Sequence, residues 1–186
     1  MRIISGNFKG KKILEPKDVY TRPLKDLTKE SIFNIINHSN KFKVKIEGSV
    51  ILDLFSGVGS FGIECLSRNV DKVYFVENYK NVLPILKKNL SGLKSINNFE
   101  IIEKDIYNED IFKNFNQIFD IIFLDPPYKD KNIEKTLVKI KTSNILKNNG
   151  VLILHRHKKE KENFSDEIKI IEEKIYGISK IIFFTF

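Results

Sequence analysis

Two short stretches of this sequence carry residue types that can bind a ligand and act on it. The first is the glycine pattern Gly57-x-Gly-x-x-Gly62, and the second is the tetrapeptide Asp125-Pro-Pro-Tyr128. Each follows directly on a largely apolar run, 50–54 in the first case and 119–124 in the second. Such runs are typical of strands at the centre of a parallel sheet, where ligands bind at the carboxyl ends of the strands. We therefore expect both stretches to line one pocket.

The residues around the glycine pattern predict an adenosine-containing cofactor. A predicted strand precedes the pattern and a helix follows it, and Glu77 ends the next predicted strand, where a carboxylate can bind ribose hydroxyls. These features do not distinguish a nicotinamide dinucleotide from S-adenosylmethionine. Asp53 favours the second, because a buried carboxylate is costly unless it is paired, and S-adenosylmethionine carries an ammonium and a sulfonium. A pyrophosphate would be repelled by the same carboxylate.

Both stretches carry a resemblance to known enzymes. Asp53-Leu-Phe-Ser-Gly-Val-Gly59 resembles motif I of class I S-adenosylmethionine-dependent methyltransferases, and Asp125-Pro-Pro-Tyr128 resembles motif IV of those that methylate amines. The similarity extends over nearly the whole chain and is greatest to the bacterial small-subunit ribosomal RNA guanine-N2 methyltransferase family. The further segments that carry it are Arg2-Ile-Ile-Ser-Gly-x-Phe-Lys-Gly-Lys-Lys12, Thr21-Arg-Pro23, Glu30-Ser-Ile-Phe-Asn34 and the C-terminal strand pair around Tyr176-Gly177.

The resemblance implies a reaction, a cofactor and a set of site residues. The reaction is methylation of the exocyclic N2 amine of a guanine in 16S ribosomal RNA, with S-adenosylmethionine as methyl donor. The substrate is small-subunit ribosomal RNA, either free or in the assembled 30S subunit. The implied cofactor-binding residues are Asp53, Phe55, Gly57, Gly59, Glu77 and Asp105, and the implied catalytic residues are Asp125, Pro126, Pro127 and Tyr128. Asp105 is open to a second interpretation, as the N-cap of a following helix.

The tetrapeptide at Asp125 suits an aromatic amine, which is a poor nucleophile because its lone pair is delocalised into the ring. The Asp125 carboxylate and the Pro126 carbonyl can accept the amine hydrogens, which favours a pyramidal nitrogen with its lone pair directed at the methyl group. Pro127 helps to fix the backbone. Tyr128 would stack on a base that has left the RNA stack. The alternative is a rigid turn after a strand, without a catalytic role.

The charge of the chain favours a polyanionic partner. The net charge is +8, from 32 basic against 24 acidic residues, and basic residues concentrate in the segment 1–23. Strand-like runs flank Gly6-Asn-Phe-Lys-Gly10, which predicts a hairpin with a basic loop. The alternative to the hairpin is a disordered basic tail. The alternative to a polyanionic partner is a lysine-rich compositional bias. The candidate RNA contacts are Arg2, Lys9, Lys11, Lys12 and Arg22.

The alternation of strands and helices that positions these residues predicts an α/β fold, a doubly wound, mostly parallel Rossmann-like sheet. A small extension over residues 1–40, made of the basic hairpin and a helix, is expected to precede a methyltransferase domain over 41–186 that ends in an antiparallel hairpin. The helix of the extension is expected to carry one apolar face, made of Leu24, Leu27, Ile32, Ile35 and Ile36. The predicted strands are 50–54, 72–76, 99–103, 119–124 and 150–155, and the predicted helices are 60–68, 79–91, 107–114 and 130–146.

Three other functions are compatible with parts of the sequence. A DNA adenine-N6 methyltransferase can carry the same tetrapeptide but normally needs an added target-recognition region, for which no segment here is long enough. A dinucleotide-dependent oxidoreductase would leave Asp53 and Asp125-Pro-Pro-Tyr128 unexplained. A non-catalytic RNA-binding or ribosome-assembly module would explain the charge, and it predicts that Asp125→Ala leaves the function intact.

The remaining features narrow the class of protein. The single cysteine, Cys65, fits a reducing cytosol and is expected to be a core residue. No apolar run approaches the roughly 20 residues that a membrane span needs, and the N-terminus lacks the features of a secretory signal. His155 and His157 lie two apart in a predicted strand, but no third ligand stands out, so no metal is expected. These features predict a cytoplasmic protein. A monomer is expected because the fold should close without an obvious apolar patch.

Overall fold

The computed structural model of the protein describes residues 1–16, 24–94, 96–107, 111–127, 130–161, 164–165 and 168–186. The helices are α1 (Asp26–His38), α2 (Ser60–Ser67), α3 (Leu83–Ser91) and α4 (Ile133–Thr142), and a 3₁₀ turn covers Ile111–Asn114. The strands are β1 (Val50–Leu54), β2 (Lys72–Val76), β3 (Phe99–Ile102), β4 (Phe119–Leu124), β5 (Leu146–His157), β6 (Lys169–Tyr176) and β7 (Ser179–Thr185).

The seven strands form one mixed sheet in the order β3-β2-β1-β4-β5-β7-β6. Strands β1 to β5 pair in parallel, whereas β7 is antiparallel to both β5 and β6. The predicted α/β fold with a C-terminal antiparallel hairpin is confirmed. The chain winds outward from β1 on one side and from β4 on the other, and such sheets bind ligands in the crevice at this reversal of strand order.

Side chains alternate between the two faces of the sheet, and each face has its own core cluster. The first face, which carries Ile51, Phe123 and Ile153, is covered by α1, α2, α3 and the N-terminal segment, residues 1–16. The second face, which carries Leu52 and Leu152, is covered by α4 and the 3₁₀ turn. Because both faces are covered, the central strands need apolar residues at almost every position, which explains the continuous runs in the sequence.

Several elements are shorter or longer than the sequence predicts. The helix expected over 79–91 begins at Leu83, with Pro84 in its first turn, where a missing N–H is tolerated. The helix expected over 130–146 covers only Ile133–Thr142, because Asn144 adopts a left-handed conformation with φ of 50° and ends it. Strand β5 therefore starts at Leu146, earlier than expected. Of the helix expected over 107–114, the described residues show only the 3₁₀ turn.

Helix α1 differs from its prediction in which residues it buries. Leu27 was expected on the apolar face but is 68% exposed, so that assignment is wrong. Lys29 and Phe33 are buried instead, together with Ile32 and Ile36. The helical period was read from the apolar residues alone, and Lys29 can be buried because Glu64 of α2 lies opposite it. Pro23, a residue that the first turn of a helix tolerates, lies outside the described residues.

The N-terminal segment is anchored on α2 through Glu64. The two carboxylate oxygens of Glu64 accept the backbone N–H groups of Ile4 and Ser5 at 2.8 and 2.9 Å. The same carboxylate lies 3.4 Å from the Lys29 ammonium and 2.9 Å from the Arg68 guanidinium. Burial lowers the pKa of Lys29, while the charge of Glu64 opposes that shift. Every oxygen of this buried carboxylate is therefore satisfied by the fold itself.

A second anchor joins the N-terminal segment to the glycine loop. Asn89 of α3 accepts the N–H of Leu14 at 2.8 Å and donates to the Leu14 carbonyl at 3.1 Å. Its amide also donates to the carbonyl of Val58 at 3.0 Å. The side chain of Asn89 in α3 thus binds both the N-terminal segment and the glycine loop.

Cys65 lies within the core cluster of the first face, as predicted, and burial raises the pKa of its thiol well above the ordinary range. Among the helices that the structure describes, none combines the length and apolar character needed to cross a bilayer.

Candidate active site

Polar side chains lie near the carboxyl ends of four neighbouring strands, on the first face of the sheet. In each strand the polar residue lies two positions after a buried apolar residue, so both point to the same face. In the strand register, Asp53 pairs with Phe75 of β2 and with Phe123 of β4, so it lies two residues back from Glu77 and Asp125. Asp125 follows Leu124, which pairs with Leu154, and is therefore level with His155. The four polar residues are Glu77, Asp53, Asp125 and His155, which follow Phe75, Ile51, Phe123 and Ile153 respectively.

Asp53 is a buried carboxylate with one oxygen left unbonded. It is 1% exposed, and its Oδ2 accepts the N–H of Gly62 at 3.0 Å. Its Oδ1 is buried without a hydrogen-bond partner in the described part of the chain. Burial raises the pKa of Asp53 well above its ordinary value, and the nearby charges of Asp125 and Glu77 raise it further. A cation placed at Oδ1 would restore the carboxylate form, and the ammonium of S-adenosylmethionine is such a group.

The glycine loop between β1 and α2 depends on conformations and contacts that few residues allow. Gly57 and Gly59 have φ values of 55° and 85°, and a Cβ on Gly59 would lie 2.6 Å from the Leu86 side chain. Phe55 also has a positive φ, 58°, in the left-handed region that L residues seldom occupy. A Cβ on Gly62 would lie 2.3 Å from the Phe75 ring, so that glycine lets α2 pack closely on β2. The loop therefore keeps a fixed backbone at the end of β1.

Glu77 holds the glycine loop in place. Its Oε2 accepts the N–H of Gly57 at 2.7 Å, and its Oε1 accepts the N–H groups of Asn78 and Tyr79 at 2.9 and 2.8 Å. The sequence suggested a carboxylate that binds ribose hydroxyls. That role stays a prediction, and the structure adds a second role in shaping the loop.

Asp105 lies after β3 at the same edge of the sheet. Its Oδ1 accepts the N–H of Tyr107 at 2.8 Å, and the ring of Tyr107 lies 5.7 Å from the ring of Phe55, centroid to centroid. Phe55 and Tyr107 thus form an aromatic pair beside the glycine loop. Whether Asp105 binds adenine stays a prediction.

Asp125 contacts β1 through its backbone and β5 through its side chain. Its N–H donates to the Leu54 carbonyl at 3.3 Å. Its Oδ1 lies 2.7 Å from Nδ1 of His155, whose Nε2 lies 2.9 Å from the hydroxyl oxygen of Ser179 in β7. A short polar chain therefore runs from the end of β4 across β5 to β7.

Arg156 fixes the backbone that follows Asp125. Its guanidinium, buried on the second face, donates from Nη1 to the Pro127 carbonyl and from Nη2 to the Asp130 carbonyl, both at 2.9 Å. The Tyr107 hydroxyl donates to the Asp130 carboxylate, and burial together with this hydrogen bond raises the pKa of Tyr107. Pro126 is buried and Pro127 is exposed. Tyr128, the predicted stacking residue, lies outside the described residues.

The predicted RNA contacts do not gather around the pocket. An antiparallel bridge joins Arg2 and Lys12, both of which are exposed. The turn that carries Lys9 lies at the C-terminal end of α2, away from the glycine loop. Asn7, beside this turn, donates its N–H to the Ser67 carbonyl at 2.7 Å. Helix α2 starts next to the glycine loop and has eight residues, so its two ends are about 12 Å apart.

The other two predicted RNA contacts are Lys11 and Arg22. The Lys11 ammonium donates to the carbonyl of Gly92, which directly follows the C-terminus of α3. Lys11 therefore lies at the C-terminal end of α3. Arg22 lies outside the described residues. RNA contact by these basic residues stays a prediction.

The sequence did not single out His155 and Arg156 as site residues. Both interrupt the apolar alternation of β5 at positions that are buried. A polar residue at a buried strand position needs a hydrogen-bond partner. The interruption of the apolar run by these two residues could therefore have marked them as candidates. Sequence reasoning considered the two histidines of β5 only as possible metal ligands. Among the described residues, no group of three or more His, Cys, Asp or Glu side chains could hold a metal ion.

Comparisons with known proteins show what this chain is similar to. It matches the model of the family described as Conserved hypothetical protein 95 over residues 1–185. It is 35% identical over 181 residues to ribosomal RNA small subunit methyltransferase D of Haemophilus influenzae, an alignment that covers 96% of this chain and 90% of that protein. It is 30% identical over 183 residues to putative rRNA methyltransferase YlbH of Bacillus subtilis, covering 97% and 96%.

The fold has a solved counterpart. The putative methyltransferase yhhF of Escherichia coli superposes with a TM-score of 0.79 at 24% identity, over 99% of this chain and 96% of that one. At this identity the likeness shows the fold, a Rossmann-like methyltransferase sheet.

Proposed function

The chain belongs to the Conserved hypothetical protein 95 family, and from that premise we propose that it is an S-adenosylmethionine-dependent methyltransferase acting on the N2 amine of a guanine in small-subunit ribosomal RNA. The names of its relatives support ribosomal RNA as the substrate. The resemblance of Asp125-Pro-Pro-Tyr128 to the amine-methylating motif supports the guanine amine as the target.

One observation carries the proposal. Asp53 and Asp125 end adjacent parallel strands on the same face of the sheet, at the reversal of strand order. Asp53 has a buried oxygen without a partner among the described residues, and Asp125 is partly exposed at the mouth of the same crevice. The first suits a cationic cofactor, and the second suits a hydrogen-bond donor such as an amine.

The residues of the cofactor end fit S-adenosylmethionine. Asp53 would accept from its ammonium, and the glycine loop, held by Glu77, would let the cofactor approach the backbone closely. Phe55 and Asp105 lie at the same edge of the sheet and would line the adenosine end. When bound, S-adenosylmethionine supplies a methyl group on a positively charged sulfur, which becomes a neutral thioether as the methyl group leaves.

The residues of the substrate end would make the amine a better nucleophile. The Asp125 carboxylate and the Pro126 carbonyl would accept its two hydrogens, which localises the lone pair on the nitrogen. Once the carbon–nitrogen bond has formed, the nitrogen gives up one proton, which the Asp125 carboxylate would accept and pass to water. Arg156 keeps the Pro127 and Asp130 carbonyls fixed, so that the loop need not reorganise. Positioning therefore supplies most of the rate.

The RNA would have to present an unstacked guanine to this crevice. The basic N-terminal segment would bind phosphates and orient the RNA. Arg2, which is bridged to Lys12, follows Met1, whose sulfur lies 2.9 Å from the Ser60 hydroxyl at the start of α2, whereas the turn at Lys9 lies beside Ser67 at its end. Contacts with phosphate dominate affinity for nucleic acids and carry no sequence information. The choice between free RNA and the assembled 30S subunit is part of the test.

The experiment is transfer of labelled methyl from S-adenosylmethionine to free 16S ribosomal RNA, to 30S subunits and to duplex DNA, followed by nucleoside analysis. We expect N2-methylguanosine in small-subunit RNA and a loss of about 10²–10³-fold in rate for Asp125→Ala. Label in adenine of DNA would identify a DNA methyltransferase instead. Cofactor and RNA binding without transfer would identify a non-catalytic binding module.

We also propose that the protein acts as a monomer, since the central strands of its sheet are covered on both faces by its own helices. Sedimentation at working concentrations tests this, and a dimer would overturn it.

A further inference from the structure

His155 touches the carboxylate proposed to bind the target amine, and it does so from inside the core. Its side chain is 5% exposed, whereas that of Asp125 is 19% exposed. Nδ1 lies 2.7 Å from Oδ1 of Asp125, and Nε2 lies 2.9 Å from the hydroxyl oxygen of Ser179. Ser179 is itself buried. The imidazole is therefore held on both sides, with the pocket beyond Asp125.

The partners of the two ring nitrogens define a consistent arrangement of hydrogens. An ionised carboxylate only accepts hydrogen bonds, so Nδ1 carries a hydrogen and donates it to Asp125. In the neutral ring, Nε2 accepts the hydroxyl hydrogen of Ser179. In the charged ring, Nε2 donates to the same hydroxyl oxygen. The Ser179 hydroxyl can therefore bond to both the neutral and the charged imidazole, and Nδ1 donates to Asp125 in both cases.

This arrangement gives the two oxygens of Asp125 different roles. Oδ1 is bound by His155. Across the part of the chain that the structure describes, no hydrogen bond of a side chain or backbone group engages Oδ2. The backbone of Asp125 is tied to Leu54 of β1 at the same time. Rotation of the carboxylate would break the bond to His155, so the orientation of Oδ2 is fixed as well.

We propose that His155, oriented by Ser179, is a positioning residue that binds Oδ1 of Asp125 and thereby presents Oδ2 to the target amine. The inference rests on the proposed function, because it takes Asp125 to accept a hydrogen from that amine. A carboxylate without this bond would populate several rotamers, only some of which meet the amine. A displacement of about 1 Å at a reacting group can lower a rate by roughly 10²-fold.

The first test is a double-mutant cycle on the rate of methyl transfer, measured under single-turnover conditions with His155→Leu and Asp125→Ala. If His155 acts through Asp125, His155→Leu lowers the wild-type rate about 10–100-fold but leaves the Asp125→Ala rate unchanged. Equal fold losses in the two backgrounds would overturn the proposal. Dissociation constants for S-adenosylmethionine should stay within about twofold of wild type, because an effect on positioning appears in the rate and not in cofactor binding.

Two further variants keep the test decisive if His155→Leu folds poorly. His155→Asn keeps a donor near the position of Nδ1 and should recover most of the rate, whereas a loss as large as that of His155→Leu would count against positioning. His157→Leu makes the same chemical change two residues along β5 and should leave the rate within about twofold of wild type.

A spectroscopic measurement tests the contact without any activity. Nuclear magnetic resonance of the imidazole nitrogens should show a protected hydrogen on Nδ1 of His155, which is lost in Asp125→Ala and altered in Ser179→Ala. An unprotected Nδ1 in the wild-type protein would overturn the proposal. Failure of the wild-type protein to methylate any RNA would instead refute the proposed function, and this signal would show whether the contact itself is present.

Discussion

Two buried carboxylates on the same side of the sheet, Glu64 in α2 and Asp53 in β1, have opposite surroundings. Glu64 accepts two backbone N–H groups and pairs with Lys29 and Arg68. Asp53 accepts one N–H group, from Gly62, and its other oxygen is buried without a partner among the described residues. Both side chains are almost completely inaccessible to solvent.

The difference separates a carboxylate that the fold uses for its own cohesion from one that is left available to a ligand. A buried polar atom without a partner costs about 1–3 kcal/mol, so such atoms are rare in stable proteins. Glu64 joins the N-terminal segment to α2, and its bonds are complete. Asp53 lies at the glycine loop, and its bonds are completed only by something that enters the crevice. Incomplete hydrogen bonding, more than burial or charge, identifies the ligand site here.

The largest effect is expected when a substitution breaks the cluster around Glu64, in which every hydrogen bond is made. Glu64→Gln keeps the shape of the side chain but leaves the buried Lys29 ammonium without its ion pair, which should lower the free energy of unfolding by about 3–5 kcal/mol. Urea denaturation at neutral pH measures the change. Glu30→Gln removes the same charge from an exposed position on α1 and should cost less than about 0.5 kcal/mol. Similar midpoints for the two variants would contradict the assigned role of Glu64.

Substitution of Asp53, whose hydrogen bonds are incomplete, should reduce ligand binding and raise stability. Asp53→Asn should weaken binding of S-adenosylmethionine by roughly 10–100-fold, since a hydrogen bond to a charged group contributes about 1.5–3 kcal/mol. The same change should stabilise the ligand-free protein at neutral pH, because the wild-type carboxyl must either ionise in the core or keep a proton that the unfolded chain has released. Calorimetric titration and urea denaturation measure the two effects. A variant that binds normally would remove Asp53 from the cofactor site.

The stability effect of Asp53 should depend on pH. Burial raises the pKa of this carboxyl in the folded protein above that in the unfolded chain. The folded state then holds the proton more tightly, so the contribution to stability is complete below the unfolded pKa and is lost as the pH rises towards the folded one. The advantage of Asp53→Asn over wild type should therefore grow as the pH rises from about 4, the ordinary pKa of an aspartate in the unfolded chain, towards neutrality. A constant difference over this range would contradict the raised pKa.

Another pair of variants makes the same change, arginine to lysine, in the candidate site and in the cluster around Glu64. Arg156→Lys removes the two-pronged contact with the Pro127 and Asp130 carbonyls and should slow methyl transfer about tenfold, since a single ammonium cannot replace the fork. Arg68→Lys, in the cluster around Glu64, should lower the midpoint of urea unfolding and leave the rate unchanged. Equal effects of the two variants on the rate would show that the distinction between the regions is wrong.

The smallest effects are expected at exposed cations that belong to neither region. Lys12→Ala should reduce the dependence of RNA affinity on salt by about one ion and leave stability unchanged, if Lys12 binds a phosphate. Lys135→Ala removes the same charge from an exposed position on α4, over the second face, and serves as the matched control. Filter-binding titrations at several salt concentrations measure both slopes. Parallel slopes for wild type and Lys12→Ala would exclude that contact.

Most of the sheet and half of the candidate site follow from local patterns. The bounds of β1, β2 and β4 match the predictions, because a strand buried on both faces must be apolar throughout. The ends of helices were less predictable, since Asn144 ends α4 through a backbone conformation that many sequences avoid. The exposure of Leu27 and burial of Lys29 depended on Glu64, which belongs to another helix.

The sequence by itself determined the fold class, the glycine loop and the placement of Asp53 and Asp125 at strand ends. These features rest on the alternation of side chains and on neighbours along the chain. Only the tertiary structure decided that His155 and Ser179 reach Asp125 and that the turn at Lys9 lies far from the crevice. Strand order and register bring together residues that are distant in the chain, and no local pattern specifies those pairs.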